Sequence, residues 1–187
     1  MTLTSRGTTT ITGVARDFFT RAPVPGVLCA GLARDGDAIG SIYAGPDEGV
    51  PTDAQGAFRI TSSAGEIVIG CHAAGRTGSR ITTAKRDVPT VVDVITVADN
   101  RAPGTIDARF EFMSRRIREL TRGGAADRAG LTLGDEVIAV DGRSVVELGS
   151  NETMLVITQR PTGATAQLTI MRNGERRAVA VTVHAGA

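Results

Sequence analysis

"GGAADRAGLTLGDEVIAVDG" (residues 123–142) combines small residues, an apolar alternation and a terminal turn, and it offers no obvious catalytic side chain. Its two adjacent carboxylates, Asp135 and Glu136, alternate across a strand and so cannot face one reacting group as an acid/base pair. The segment "GAADRAG" predicts a one-turn helix ended by Gly130, because glycine enters the left-handed conformation that closes a helix without a Cβ penalty. Ala125 and Ala126 let that helix lie close to a sheet. Gly134-Asp135 turns into the strand "DEVIAV", and Asp141-Gly142 is a dipeptide for a tight turn with positive backbone angles. A run this specific without reactive groups has a geometric task.

The pattern continues on both sides. Upstream, "IDARFEF" and "RRIREL" read as strands. Downstream, "SNETMLVITQR" predicts a helix capped by Ser150 or Asn151, with Met154, Ile157 and Thr158 on one side and Pro161 and Gly163 ending it. "AQLTIMR" and "ERRAVAVTV" flank Asn173-Gly174, a strong hairpin signal. Leu168 and Ile170 share one face, as do Val179, Val181 and Val183. This part of the chain is therefore α+β, with five or six strands and two helices.

Residues 8–99 are different. Short β-like runs ("TTITGVARD", "GVLCAGL", "GAFRIT", "EIVIGCH", "TVVDVITV") are separated by turn residues, which predicts an antiparallel sandwich. "DNRAPG" (99–104), polar with Pro and Gly, is the candidate linker. The fold class expected is mainly β: an antiparallel β-sandwich over 8–99, then an α+β unit over 104–184 built as a partly open β-barrel with two helices.

Composition excludes several functions. The chain has 187 residues, a formal net charge of +1, 23 glycines and 3% aromatics. Every basic residue but Lys85 is arginine, a bias that fits a GC-rich bacterial genome and leaves one lysine for any lysine-dependent chemistry. Arg115, Arg116, Arg118 and Arg122 form the one basic cluster. With little net charge and no interleaved aromatics it reads as a solvated strand face, so no nucleic-acid partner is expected. No run of 18 apolar residues encodes a membrane helix. The opening "MTLTSRGTTTITG" lacks the apolar core of a signal peptide, which favours the cytoplasm if the chain is complete as given.

"GGAADRAGLTLGDEVIAVDGRSV" (123–145) resembles the centre of a bacterial PDZ domain: Ala125-Ala126, Ala129-Gly130-Leu131, Gly134-Asp135, the strand Val137 to Val140 and Asp141-Gly142 follow that family's pattern. The resemblance spans roughly 104–183, in the circularly permuted order of HtrA-type envelope proteases. It implies binding of an extended peptide by addition of a strand to a sheet edge. It places the carboxylate-binding loop at Gly104, Thr105, Ile106, Asp107 and Ala108, the peptide-pairing strand from Arg109 through Phe110 to Phe112, and the opposite wall at Met154, Ile157 and Thr158. The chain departs from the family at Asp107, which replaces a glycine. A carboxylate there repels a peptide carboxylate and restricts the backbone. An internal loop as ligand, a C-terminus rescued by Arg109, a degenerate groove and a purely structural domain stay open.

"ITGVARDFFTRAPVPGVLCAGL", "PTDAQGAFRI" and "AGEIVIGCHAAG" together resemble the carboxypeptidase regulatory-like family of small transthyretin-like sandwiches, over about 9–97. The matching elements are Gly13-Val14, Pro23 to Gly26, Thr52-Asp53 with Gly56 and Phe58, and Ala64 to Glu66; the insertion 33–50 is longer than usual. The resemblance implies a spacer or docking domain. By alternation Cys29 shares the inward set with Val27, and Cys71 with Ile67 and Ile69. A disulfide Cys29–Cys71 in an oxidising compartment and two buried free thiols are both compatible, the free thiols being the preferred reading because pairing also needs close Cβ atoms.

Neither His72 nor His184 lies in a metal-binding pattern, and each reads as a surface or half-buried histidine. There is no Walker loop, GxSxG or HExxH. The Asn151-Glu152-Thr153 sequon reads as a helix cap. The expectation is a non-enzymatic protein- or peptide-binding module without catalytic residues, metal or cofactor. The alternatives are an accessory component of a protease system and a surface- or carbohydrate-binding sandwich with an adaptor. The PDZ resemblance favours the cell envelope.

Overall fold

The computed structural model describes residues 7–33, 49–99, 104–111 and 114–186. The insertion at 34–48, the centre of the linker and Phe112 lie outside them. The chain separates into two compact units, dividing between Val97 and Ala98.

The N-terminal unit holds β1 (Thr8–Asp17), β2 (Leu28–Ala33), β3 (Val50–Pro51), β4 (Ala57–Ser63), β5 (Gly65–Ala73), β6 (Arg76–Ala84), β7 (Thr90–Val91) and β8 (Val94–Ala98). They form one sheet in the order β3-β2-β5-β6-β8-β1-β4, with β7 also on β1. β1 buries Thr9, Ile11, Gly13 and Ala15 in strict alternation. It changes partner along its length: Thr8 to Val14 pair with β4 antiparallel, while Ala15 to Asp17 pair with β8 in parallel. The two parallel pairings, β1 with β8 and with β7, depart from a purely antiparallel arrangement. The sheet bends until β4 lies over β2, where a Cβ on Gly31 would stand 3.2 Å from Ile60. Ile11, Phe58, Ile60, Ile67 and Ile69 fill the space enclosed.

The turn before β4 shows why its residues are needed. Asp53 Oδ1 accepts the amides of Gln55 and Ala57 at 2.9 and 2.8 Å. Gly56 has φ +71°, and a Cβ on it would lie 2.8 Å from the Val24 nitrogen and 2.9 Å from the Ala15 carbonyl. Thr52, buried, accepts from the Val27 amide and donates to the Val24 carbonyl, tying the Pro23–Gly26 segment to this turn.

Cys29 and Cys71 face each other across β2 and β5 and are joined as a disulfide, both fully buried. The preference for free thiols is thus corrected. Alternation showed that both side chains point inward, but the register that sets them opposite each other is a tertiary fact.

The C-terminal unit holds β9 (Gly104–Thr105), β10 (Ala108–Phe110), β11 (Ile117–Leu120), α1 (Ala125–Arg128), β12 (Glu136–Val140), β13 (Arg143–Ser144), α2 (Ser150–Thr158), β14 (Thr165–Arg172), β15 (Glu175–Thr182) and β16 (His184–Ala185). Both helices fall where expected. The strand segments exceed the five or six predicted because β9, β13 and β16 are two-residue pieces without a readable period. They assemble as β13-β12-β14-β15, the hairpin β10-β11 and the pair β16-β9. Both predicted turns have positive φ at both residues: Asp141 (50°) with Gly142 (74°), and Asn173 (53°) with Gly174 (83°). Val137, Val140, Leu168, Ile170, Val181 and Val183 are buried, while Val179 is half-buried. The cap of α2 is Gly149 rather than Ser150 or Asn151, and no side chain caps the helix. Its carbonyl accepts from the Thr153 amide at 3.0 Å.

Candidate functional site

The segment 104–110 leads into a strand with one occupied and one open edge. The Thr121 amide donates to the Asp107 carbonyl at 2.9 Å, and the Glu111 amide donates to the Arg116 carbonyl at 2.8 Å. Asp107, Arg109 and Glu111 therefore turn their main-chain groups toward β11, and the pleat turns those of Ala108 and Phe110 the other way. Among the described residues no strand pairs with that second edge.

Two tethers set α2 beside the hairpin. At one end, a Cβ on Gly104 would stand 3.5 Å from the carbonyl of Thr158, the last residue of α2. At the other, Arg115 Nη1 donates to the Leu148 carbonyl just before α2, while its Nη2 pairs with Glu136 at 2.9 Å. The segment before β10 therefore lies near the C-terminal end of α2, and Arg115, ahead of β11, near its N-terminal end.

The predicted site residues divide by exposure. Gly104 and Thr105 pair with Ala185 and His184 of β16. Ile106 is fully buried, and its carbonyl accepts from the Ala126 amide at 2.8 Å, which makes it a core residue. Ala108 and Phe110 are buried at 7% and 8% exposure, and Arg109 projects outward with a loose ion pair to Glu119 at 3.8 Å. On α2, Met154 is partly exposed, whereas Ile157 and Thr158 are buried and the Thr158 hydroxyl donates to the Met154 carbonyl. Of the three helical wall residues, Met154 is the one with side-chain surface to offer.

Asp107 takes the conformation of the glycine it replaces, with φ +60°. Its Oδ2 accepts from the Ala125 amide at 2.9 Å and lies 2.7 Å from His184 Nε2. The Ala125 amide and then the His184 ring hold the Asp107 carboxyl below the usual carboxylate range, against a smaller opposing effect of burial. The Asp107 hydrogen bond and the Ala185 carbonyl push His184 above its ordinary value, opposed by burial and the Arg128 charge. The Asp107 amide donates to Thr105 Oγ1 at 3.0 Å. Gly124 permits the arrangement, since a Cβ there would lie 2.5 Å from that of Asp107. Asp107 lines two hollows. One of about 350 Å³ includes Thr105, Arg109, Glu119 and Thr121, and one of about 460 Å³ includes Arg128, Thr182 and His184.

Sequence reasoning missed the His184 partner. The available signal was alternation after β15, where Val181 and Val183 point inward and Thr182 and His184 outward. It also missed the role of Asp135, whose side chain is completely buried under Arg172. The guanidinium meets both carboxylate oxygens at 2.6 Å, and the Thr132 amide adds a bond at 2.8 Å. Burial pushes the Asp135 carboxyl upward. The Arg172 and Thr132 bonds and the Arg172 charge outweigh it and hold the group low.

The family model for the PDZ domain matches residues 78–183, more than half of the chain. The chain belongs to the PDZ domain family. The match begins inside β6, ahead of the division between the two units, and ends at Val183, just before His184. A PDZ domain is a non-catalytic peptide-binding domain. No curated protein matches the chain. Among solved structures it is similar to an aminopeptidase N family protein from Idiomarina loihiensis (18% identity, 48% of this chain and 15% of that one, TM-score 0.39). It is also similar to the HtrA-type protease AlgW with a decapeptide (11%, 65% and 56%, TM-score 0.41) and to a serine endoprotease from Yersinia pestis (12%, 65% and 57%, TM-score 0.36). The chain spans less than two thirds of the length of each of these proteins.

Proposed function

We propose that the chain is a non-enzymatic binding module in which an extended peptide adds as a strand to β10, between that strand and α2. The observation that carries this reading is the edge at Ala108 and Phe110, which no described strand occupies, with Gly104 near the end of α2 and Arg115 on the carbonyl that precedes α2. Main-chain bonds to that edge supply affinity, and Met154 with the outer part of Phe110 supplies the apolar contact. The N-terminal unit acts as a carboxypeptidase regulatory-like spacer or docking domain, a role suited to its Gly13, Thr52-Asp53 and Gly56 pattern. An accessory role in recognising the substrates of a separate protease is consistent with the same groove.

The test is an N-methyl scan of peptides selected from a random library by the whole chain. Strand addition predicts that methylating alternate peptide nitrogens abolishes binding and that methylating the intervening ones is tolerated, because a strand offers every second amide to its neighbour. Binding indifferent to N-methylation at every position would rule out strand addition.

A further inference from the structure

We propose that the outer edge of β15 is a second strand-addition site, and that it takes an extended acidic segment of a partner protein. The site is separate from β10 and does not depend on the groove reading.

The direction of the main-chain groups along β15 follows from bonds on its inner side. The Asp141 amide donates to the Gln167 carbonyl at 2.7 Å, so Gln167 turns its main-chain groups toward β12. Ala180, opposite Gln167, therefore turns its own away from β14. Val183 gives the complementary parity. Its amide donates to the Ala164 carbonyl at 2.9 Å, and its carbonyl accepts from the Gly163 amide at 2.8 Å. Val179, Val181 and Val183 thus face β14, while Ala178, Ala180 and Thr182 face outward. Just beyond Thr182, His184 uses that outward side to pair with Thr105 of β9. From Arg176 to Thr182 no described strand takes it. A row of unpaired N–H and C=O groups is a template for another strand.

The side chains leave this edge approachable. Ala178, Ala180 and Thr182 are small and exposed. Beyond them, α1 supplies Ala125, Arg128 and Ala129 to a hollow of about 460 Å³, which Ala180, Thr182 and His184 line from the strand side. A helix packed tightly on β15 would seal the edge, and the hollow keeps it open at Ala180 and Thr182.

Charge selects the occupant. At one end Arg176 is exposed, and among the described residues no carboxylate pairs with it. Its neighbours Glu175 and Arg177 satisfy each other at 3.0 Å. At the other end Arg128 donates to the Gly123 carbonyl and has no ion-pair partner among the described residues. The Asp107 carboxylate in the hollow is taken by His184 at 2.7 Å. Two unpaired cations therefore flank a neutral centre. Arg176 and Ala180 stand about 13 Å apart along the strand, so alternate carboxylates of one extended segment reach both ends. A second copy of β15 carries one acidic residue, Glu175, already paired, and offers Arg176 and Arg128 nothing.

The experiment selects peptides on the full chain from a random dodecapeptide library and resynthesises them acetylated and amidated. Affinity is measured for wild type, Arg176→Glu and Ala180→Pro, with folding of each variant checked by its amide NMR spectrum. Ala180→Pro removes an outward donor and leaves the ladder to β14 intact. The expected result is a set of peptides with Asp or Glu at alternate positions that shift the Ala178 and Ala180 amide resonances. Their affinity falls about tenfold in Arg176→Glu, through reversal of a steering charge, and is lost in Ala180→Pro. The variants are read separately, so misfolding in one leaves the other decisive. Peptides that are all indifferent to both variants overturn this proposal and leave the β10 groove standing. Sensitive peptides without an excess of acidic residues overturn the ligand class. A chain that dimerises alone in sedimentation, with the dimer lost in Ala180→Pro, makes a second copy the occupant and overturns the proposal. No enrichment from the library overturns this site and the groove together.

Discussion

The two units solve the same problem, holding short strands around a small core, by different means. The N-terminal unit pairs its strands into one bent sheet and joins β2 to β5 with the buried Cys29–Cys71 disulfide. The C-terminal unit divides its strands among three small sheets and secures them with polar contacts: Asp135 with Arg172, Asp141 with Arg160 at 2.9 Å, and Asp107 with His184. The comparison teaches that short strands can be held by side-chain contacts across small sheets as well as by continuous pairing in one sheet. β10, paired among the described residues with β11 alone, keeps main-chain groups on its other side while polar anchors hold its surroundings.

The contrast can be broken most forcefully at the covalent link. Replacing Cys29 and Cys71 by alanine removes a bridge spanning 42 residues, which chain entropy values at about 4 kcal/mol. Urea unfolding followed by hydrogen exchange in β2 and β5 should show a loss of that order, and no loss would mean the bent sheet is stable without the bridge. The ionic counterpart is Asp135→Ala, which strands the Arg172 guanidinium and the Thr132 amide. Because Arg172 is 22% exposed, the expected cost sits at the low end for a broken buried pair, about 3 kcal/mol. It is read from exchange in β12 and β14, and an effect below that of a surface pair would demote Asp135 from anchor to bystander.

A matched glycine pair sharpens the comparison at smaller scale. Gly174→Ala has open space around the new Cβ, so it pays only left-handed strain, about 1 kcal/mol. Gly56→Ala adds contact with the Val24 and Ala15 backbone to the same strain and should cost about 2 kcal/mol or more. Equal losses in thermal unfolding would show that the sheet yields at Ala15.

The smallest expected effect is the pH response of Asp107 and His184. His184 is raised from 6.5, so its contribution is fully present below that value and fades as pH climbs through the higher folded value. Asp107 is lowered from 3.8, so its contribution is present above that value and fades as pH falls through the lower folded one. The contact is strongest between the two. An NMR titration of the His184 ring should give a midpoint above 6.5 that returns toward it in Asp107→Asn; a midpoint unmoved by that substitution would remove the contact from the solution structure.

Much of the C-terminal fold was legible because its signals are local. Gly130, Asp141-Gly142 and Asn173-Gly174 each announce a backbone angle that few other residues accept, and each is found with that angle. For the candidate site the sequence named residues and left their depth open. Sequence placed the loop at 104–108 and singled out Asp107. It placed Met154, Ile157 and Thr158 on one helical side but could not tell that the last two are buried. Helical period reports direction around an axis, and depth depends on what packs there.

The amino-acid sequence by itself determined the turns, the helices, the inward faces of the strands and a PDZ-like order of elements, since these follow from the steric limits of single residues and from periods of two and 3.6. The tertiary structure alone decided that Cys29 meets Cys71, that Asp135 lies under Arg172 and that Asp107 is held by His184, 77 residues away. Those pairings depend on strand register and on how distant segments close around one another, and no local pattern encodes either.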